Sequence, residues 1–350
     1  DLDTGSFDAI AITGNSSSAK TSFAADIKIN TTSGDGFTAA GGGQIAATSS
    51  NNSITTTTGT GLTFTDTNVT GQLNFEKVTV DGAERGIELR NVSGGSIRVG
   101  PINASTGQGG TLTATTDDSI DIANVENVAI NGITINKESA VKNGVTVVDD
   151  SGGSMNITLD NVNVTGGDRG LRVDDNGGSD TFTLNVTDGS FNNSSLTAME
   201  FGDVDTGNIG IFNTTIDGQG TPTGHGVTIT DSNATFTFDT NSSIKDVGGT
   251  AFWVNQGNVS INHDGDILDN QQGNSIRIQD VTAGTISLTG AVTDTGSGIV
   301  IKDNSGGNVQ LLGSYDLKTT TNNGVSITNN TGANVSIADL DIETTAGTGF

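Results

Sequence analysis

The chain contains no cysteine, so neither disulfides nor thiol chemistry contribute to its fold or function. Proline is nearly absent, with two in 350 residues, so turns must come from other residues. Aromatic residues make up 4% and charged residues 15%, the latter well below the roughly 25% of an ordinary soluble domain. Basic residues are scarcest, 14 Lys and Arg against 40 Asp and Glu, leaving a formal charge of −26. Nucleic-acid binding needs lysine and arginine to displace counterions from phosphates, and an anionic membrane surface needs the same, so both are excluded as partners. No apolar run is long enough for a membrane span, and no basic segment leads into an apolar one, so neither membrane insertion nor a signal peptide is read here.

What is abundant is glycine, 51 residues, together with Thr, Ser, Asn and Asp. These are residues of turns and strands, not of helices. With glycine added, the 32% apolar share reaches the globular range of about 45–50%. The composition is that of a folded, β-rich chain with a spread acidic surface.

A short pattern recurs throughout: small, apolar, any, apolar. It reads AIAI at Ala9, GLTF at Gly61, GIEL at Gly86, GVTV at Gly144, GLRV at Gly170, GVTI at Gly226, GIVI at Gly298 and GVSI at Gly324. Between Ala9 and Gly349 it advances in 13 steps averaging near 26 residues. Two further period-two segments follow each first one, such as MNIT and VNVT after Gly144. Alternation of this kind marks half-buried strands. A unit of three short strands cannot bury its own apolar face, whereas stacking units buries a continuous core. The expected fold is therefore all-β: a single-stranded, parallel β-helix (β-solenoid) of about 13 coils, three short strands each, covering 1–350 as one domain. The general bias of parallel crossovers makes it right-handed. At ~4.8 Å per coil it would be roughly 60 Å long.

The repeat G-V-x-I-x-D/N-x-x-G-x-V-x-I resembles the right-handed parallel β-helix repeats of large bacterial surface and secreted proteins, including adhesins and autotransporter passengers. The resemblance spans essentially the whole chain and implies an extracellular or cell-surface location. The opening DLDTGSFDAIAI is similar to the last repeat, DLDIETTAGTGF, and neither shows a polar cap. Two expectations follow, a slice of a longer array or end-to-end self-association into a filament.

Three constellations bear on chemistry. Asp or Asn follows the first strand in ten repeats: Asp66, Asn91, Asn124, Asp149, Asp175, Asp203, Asp231, Asp280, Asp303 and Asn329. As turn residues they bond neighbouring amides and tolerate left-handed backbone. As a stacked ladder, Asp149, Asp175, Asp203 and Asp231 would instead suit calcium, which takes oxygen ligands; no other cofactor is implied. Asp117-Asp118 and Gly224-His225-Gly226, with Arg277 in SIRIQ, resemble the DD, GHG and R-I-K motifs of polygalacturonases. The first two sit four coils apart, about 19 Å on strand spacing, too far to flank one glycosidic bond. No catalytic residue is assigned, and the chain reads as non-enzymatic. The outward position of each first strand forms a stripe including Glu200, Trp253 and Arg277, with His225 close by. An aromatic beside hydrogen-bonding charges is how sugars are often held, so Glu200, His225, Trp253 and Arg277 are the candidate glycan-binding residues. The longest insertion, Pro101 to Thr116, lacks aromatics and is expected to be a turn excursion.

The leading reading is a rigid acidic stalk or passenger that projects or adheres to a host or neighbouring cell. The alternatives are a carbohydrate-binding or carbohydrate-active β-helix, and a filament subunit.

Overall fold

A computed structural model describes the 350 residues except 48, 139–141, 177–180, 220–223, 270 and 321. Among the described residues every element is a β-strand and none is a helix. The fold is an all-β parallel β-solenoid of about 13 turns, as the repeat predicts. It divides into two compact units, one of Asp1–Asp168 with Asp180–Gly189, the other of Arg169–Ser179 with Ser190–Phe350.

In the first unit, equivalent strands of successive coils pair in parallel and in register. Ile10, Phe37, Leu62, Ile87, Ile120 and Val145 form one inward column. Leu73, Ile97, Val128, Ile157 and Leu184 form another. Register is fixed because slipping by one residue would turn every apolar side chain outward. Phe37 anchors this interior, stacked on Phe64 at 5.4 Å and edge-on to Phe75 at 5.7 Å.

The second unit repeats the plan. Its columns include Leu171–Met199–Val227–Phe252–Ile276–Ile299–Val325 and Ile209–Phe236–Ile261–Ile286–Val309–Val335. The lone tyrosine, Tyr315, is buried and donates its hydroxyl proton to the Leu288 carbonyl at 3.0 Å.

At the ends of the strands Lys28–Thr31, Ser53–Thr56 and Asn308–Thr319 the last inward residue is a threonine that closes its own turn. Thr31 donates to the Gly34 carbonyl, Thr56 to Gly59 and Thr319 to Asn322. In two coils of the second unit the same inward place holds an acid, Asp269 and Asp294, paired in register and fully buried.

One core position departs from the apolar rule. His263 is 1% exposed, stacked on Phe238 at 4.8 Å and edge-on to Phe252 at 4.9 Å. Its column neighbours are Phe238 and Leu288, and Nε2 has no hydrogen-bond partner among the described residues. Burial pushes its pKa from 6.5 down to about 4. Between those values the unfolded chain takes up a proton that the fold refuses, so this contribution is intact above pH 6.5 and lost as pH falls toward 4. The loss amounts to about 3 kcal/mol. His263→Leu, which extends the apolar column, is expected to gain stability relative to wild type as pH falls from 6.5 to about 4. Denaturant melts of both proteins from pH 4 to 7 check it, and parallel curves would refute it.

Candidate functional site

The stripe predicted from the first strands forms in the second unit. Arg172, Glu200, Thr228, Trp253, Arg277, Val300 and Ser326 are register partners in seven successive coils. Alternation places them outward because the residues on either side of each point into the core.

Trp253 is the centre of the group. The following coil places the Arg277 guanidinium over its ring, 5.1 Å from the centroid. The preceding coil contributes His225, whose ring meets Trp253 edge-on at 5.0 Å. Arg277 is oriented by Nε donating to Gln279 Oε1 at 2.6 Å, and Gln279 in turn donates to Asn255 Oδ1 at 2.7 Å. Trp253 is thus flanked from both neighbouring coils, and its half-buried ring offers an edge more than an open stacking face. Its Nε1 and the neighbouring Thr228 Oγ1 have no hydrogen-bond partner among the described residues.

His225 accepts a hydrogen bond at Nδ1 from the Thr250 amide at 2.7 Å, which leaves the ring proton on Nε2. Burial lowers its pKa, and Arg277 adds to that while Glu200 opposes it. Glu200 lies two coils from Trp253 and is held by Arg169, with Nε 2.7 Å from Oε2. The four candidate residues therefore occupy one face, but as His225–Trp253–Arg277 plus a Glu200–Arg169 pair. Arg169, Thr250, Asn255 and Gln279 were invisible in the sequence reading because each acts across a coil boundary or two residues along a strand.

The turn ladder is real at eight of its ten positions. Asp66, Asn91, Asn124, Asp203, Asp231, Asp280, Asp303 and Asn329 all have φ between 49° and 58°. Asparagine links neighbours where it occurs: Asn91 donates to Asp66 Oδ1 at 2.8 Å, Asn124 to Asn91 at 2.9 Å, Asn329 to Asp303 at 3.0 Å. Asp149 and Asp175 depart from it. In the strands Val145–Asp149 and Arg169–Asp175 both stay in strand conformation without the left-handed turn, so alternation points the side chains inward to 0% exposure. Asp149 then closes its turn from inside, accepting at Oδ1 from the Ser151 amide and hydroxyl, both at 3.2 Å. Of the four carboxylates named for calcium, two are interior and only Asp203 and Asp231 are exposed turn residues. Among the described residues, no three or more His, Cys, Asp or Glu are grouped to hold a metal ion.

The acids Asp117 and Asp118 belong to the first unit and the Gly224–Gly226 motif to the second. Asp117 pairs with Arg85 and with Lys142 at 3.2 Å. Burial works against its charge, but Lys142 and Arg85 bring its pKa below the usual carboxylate range. Asp118 accepts from the Asn143 amide at 2.8 Å and the Thr146 hydroxyl at 2.7 Å. Beside them Asp121, 2% exposed, pairs with Arg90 and Arg85. Its pKa is raised because burial outweighs both arginines. Lys137, also buried, donates to the Thr115 and Asp117 carbonyls at 2.7 and 2.6 Å. This charge network fastens the turn after the insertion to the coils beside it.

Fold and site together define a parallel β-solenoid protein with a surface aromatic–cation cluster. Compared with protein-family models, curated proteins and solved structures, the chain matches none.

Proposed function

We propose that the chain is a non-enzymatic structural and adhesive segment of a bacterial extracellular or cell-surface protein. One observation carries this reading: the side chains with reactive potential are engaged in holding coils together. Asp117 is paired with Arg85 and Lys142, Asp118 caps Asn143 and Thr146, Glu200 is paired with Arg169, and His225 Nδ1 is occupied by the Thr250 amide. A general acid or base must be available to a substrate proton, and these groups are committed elsewhere. The acidic surface and the resemblance of the repeat to adhesin β-helices favour the same reading.

A second reading, glycan adhesion, is favoured by Trp253, whose half-buried ring lies on the outward stripe beside Arg277 and His225. A single experiment addresses both. Wild-type protein and Trp253→Ala are applied to an array of neutral and acidic glycans, and released products are measured in parallel. The expected result is no product above the protein-free background. If glycans are the adhesive target, Trp253→Ala weakens retention by about tenfold, the scale of losing one well-placed aromatic contact. Turnover abolished by Glu200→Gln or His225→Ala would overturn the non-enzymatic reading. An array with no wild-type binding would sink the glycan reading alone.

A further inference from the structure

Arg277 differs from most arginines of the chain. Arg85, Arg90, Arg169 and Arg172 each form an ion pair with an acid. Arg277 forms none among the described residues, although the chain carries 40 acids against 14 basic residues. Its position is nevertheless fixed. Gln279 commits its amide protons to Asn255 Oδ1 at 2.7 Å and Asp280 Oδ2 at 3.1 Å, which leaves its oxygen to accept from Arg277 Nε. The Trp253 ring covers one face of the guanidinium. The far end, Nη1 and Nη2, makes no hydrogen bond to another described residue.

The surroundings of Arg277 are locally free of acid on the outward face. The stripe from Thr228 through Trp253, Arg277 and Val300 to Ser326 holds one cation and no carboxylate. Two places before the last four of these strands stand Thr250, Asn274, Ser297 and Asn323, all uncharged. In the coils after Arg277, Asn274, Ser297, Val300, Asn322, Asn323 and Ser326 line a cleft of about 430 Å³. Val300 is the register partner of Arg277, so cleft and guanidinium adjoin on one face. The lining is held in place by its own bonds: Asn322 Nδ2 donates to Ser297 Oγ at 2.9 Å and Asn274 Nδ2 to the Ser297 carbonyl at 3.1 Å. The cleft falls within the roughly 300–1,000 Å³ of small-molecule sites. Its amides and hydroxyls match the hydroxyls of a sugar, but a neutral sugar makes no use of the unpaired charge beside them.

We propose that Arg277 and this cleft bind an anionic sugar, with its hydroxyls in the cleft and its carboxylate or sulfate on the Nη end of Arg277. The proposal rests on the glycan reading above and names the charge class of the glycan. A guanidinium presents paired donors in a rigid fork that meets two oxygens of an oxyanion at once. Fixing that fork beforehand, through Gln279 and Trp253, lowers the cost of ordering it when the ligand arrives. Lysine carries the same charge without the fork, so it is not an equivalent replacement.

The test is retention of the full chain on immobilised oligosaccharides in matched pairs. One pair is a uronic-acid oligosaccharide and the same chain with its carboxyls reduced to alcohols. The other is a sulfated oligosaccharide and its desulfated form. Wild type is expected to prefer the anionic member of one pair by roughly tenfold, the scale of a charge-assisted bidentate contact. The pair that shows the preference identifies the group. Arg277→Gln is expected to abolish the preference while the neutral member is retained as before, and Arg277→Lys to restore it only in part. Arg172→Gln, on the same stripe but paired with Asp174, is expected to keep it. Equal retention within both pairs, with loss in Trp253→Ala, would overturn this proposal and leave the glycan reading standing. A preference that survives Arg277→Gln would overturn it as well, and no retention of any oligosaccharide by wild type would sink both.

Discussion

Asp269→Asn is expected to stabilise the protein by about 5 kcal/mol at pH 8 and above, and to change little near pH 4. Asp269 is fully buried at the inward end of its strand, beside Asp294 in the next coil. The two carboxyls do not share donors equally. Asp294 accepts from the Gly296 and Gly298 amides on both oxygens, although burial still outweighs these bonds and raises its pKa. Asp269 accepts from the Gln271 amide at 3.2 Å, and its Oδ2 has no partner among the described residues. Burial, with smaller contributions from Asp294 and Asp246, pushes Asp269 from 3.8 up to about 8. Burial therefore favours the protonated form in both acids, and most in Asp269, which has fewer donors to its charged form. Between pH 3.8 and about 8 the folded state binds that proton while the unfolded chain has released it. Stability consequently falls as pH rises through this window, and the full penalty stands above it. Asparagine keeps the oxygen that meets Gln271 and cannot ionise, so it removes the penalty. His263 acts in the opposite sense from pH 6.5 down to about 4, so wild type changes least below 6.5 and declines above it. Denaturant melts at pH 4, 6 and 9 test this, and a variant that tracks wild type at all three would sink it.

Much of the architecture is legible in the sequence because a repeat states each instruction about 13 times. A single GVTV is ambiguous, but its recurrence near every 26 residues fixes period, strand positions and facing. That is why the Glu200–Thr228–Trp253–Arg277 register and most of the turn ladder were readable. The failures are departures from the mean repeat. Asp149 occupies the ladder position by alignment, yet its backbone stays in strand conformation where the other ladder residues turn left-handed, which reverses its facing. The partners of the stripe, Arg169 and Gln279, are set by side-chain reach, which alignment does not report. The cleft beside the insertion depends on where that insertion folds back. The buried acids did leave a signal: threonine ends the third strand at Thr31, Thr56 and Thr319, and aspartate replaces it at Asp269 and Asp294.

Some turns accept only glycine, because the backbones of successive coils lie against one another there. Gly265, Gly290 and Gly313 stack in successive coils, each lying flat on the one before. A Cβ on Gly290 would fall 2.5 Å from the Gly265 carbonyl carbon, nearer still to its oxygen, and 3.0 Å from the Asp264 oxygen. Gly313 meets Gly290 in the same way. All the opposing atoms are backbone, so no rotamer change relieves the contact. The coils are held at this spacing by the Thr289 amide donating to the His263 carbonyl at 2.9 Å and the Ala291 amide to Asp266 Oδ1 at 3.0 Å. Accommodating a methyl group means parting the coils and losing at least one of these bonds. Overpacking costs about 1–3 kcal/mol and loss of one of these bonds a further 0.5–1.5 kcal/mol or so. Gly290→Ala is therefore expected to destabilise by about 2–4 kcal/mol. Gly153→Ala is the matched control, since its Cβ would meet only Ser151 Oγ at 3.5 Å, and is expected to stay within about 0.5 kcal/mol of wild type. Because each coil touches only its neighbours, the damage should be local. Hydrogen exchange should lose protection first in the strands Ser260–His263, Thr285–Leu288 and Asn308–Thr319 that flank the stack. Equal stability of the two alanine variants would show that the coils part freely at this turn, and would refute close backbone approach as the reason for glycine there.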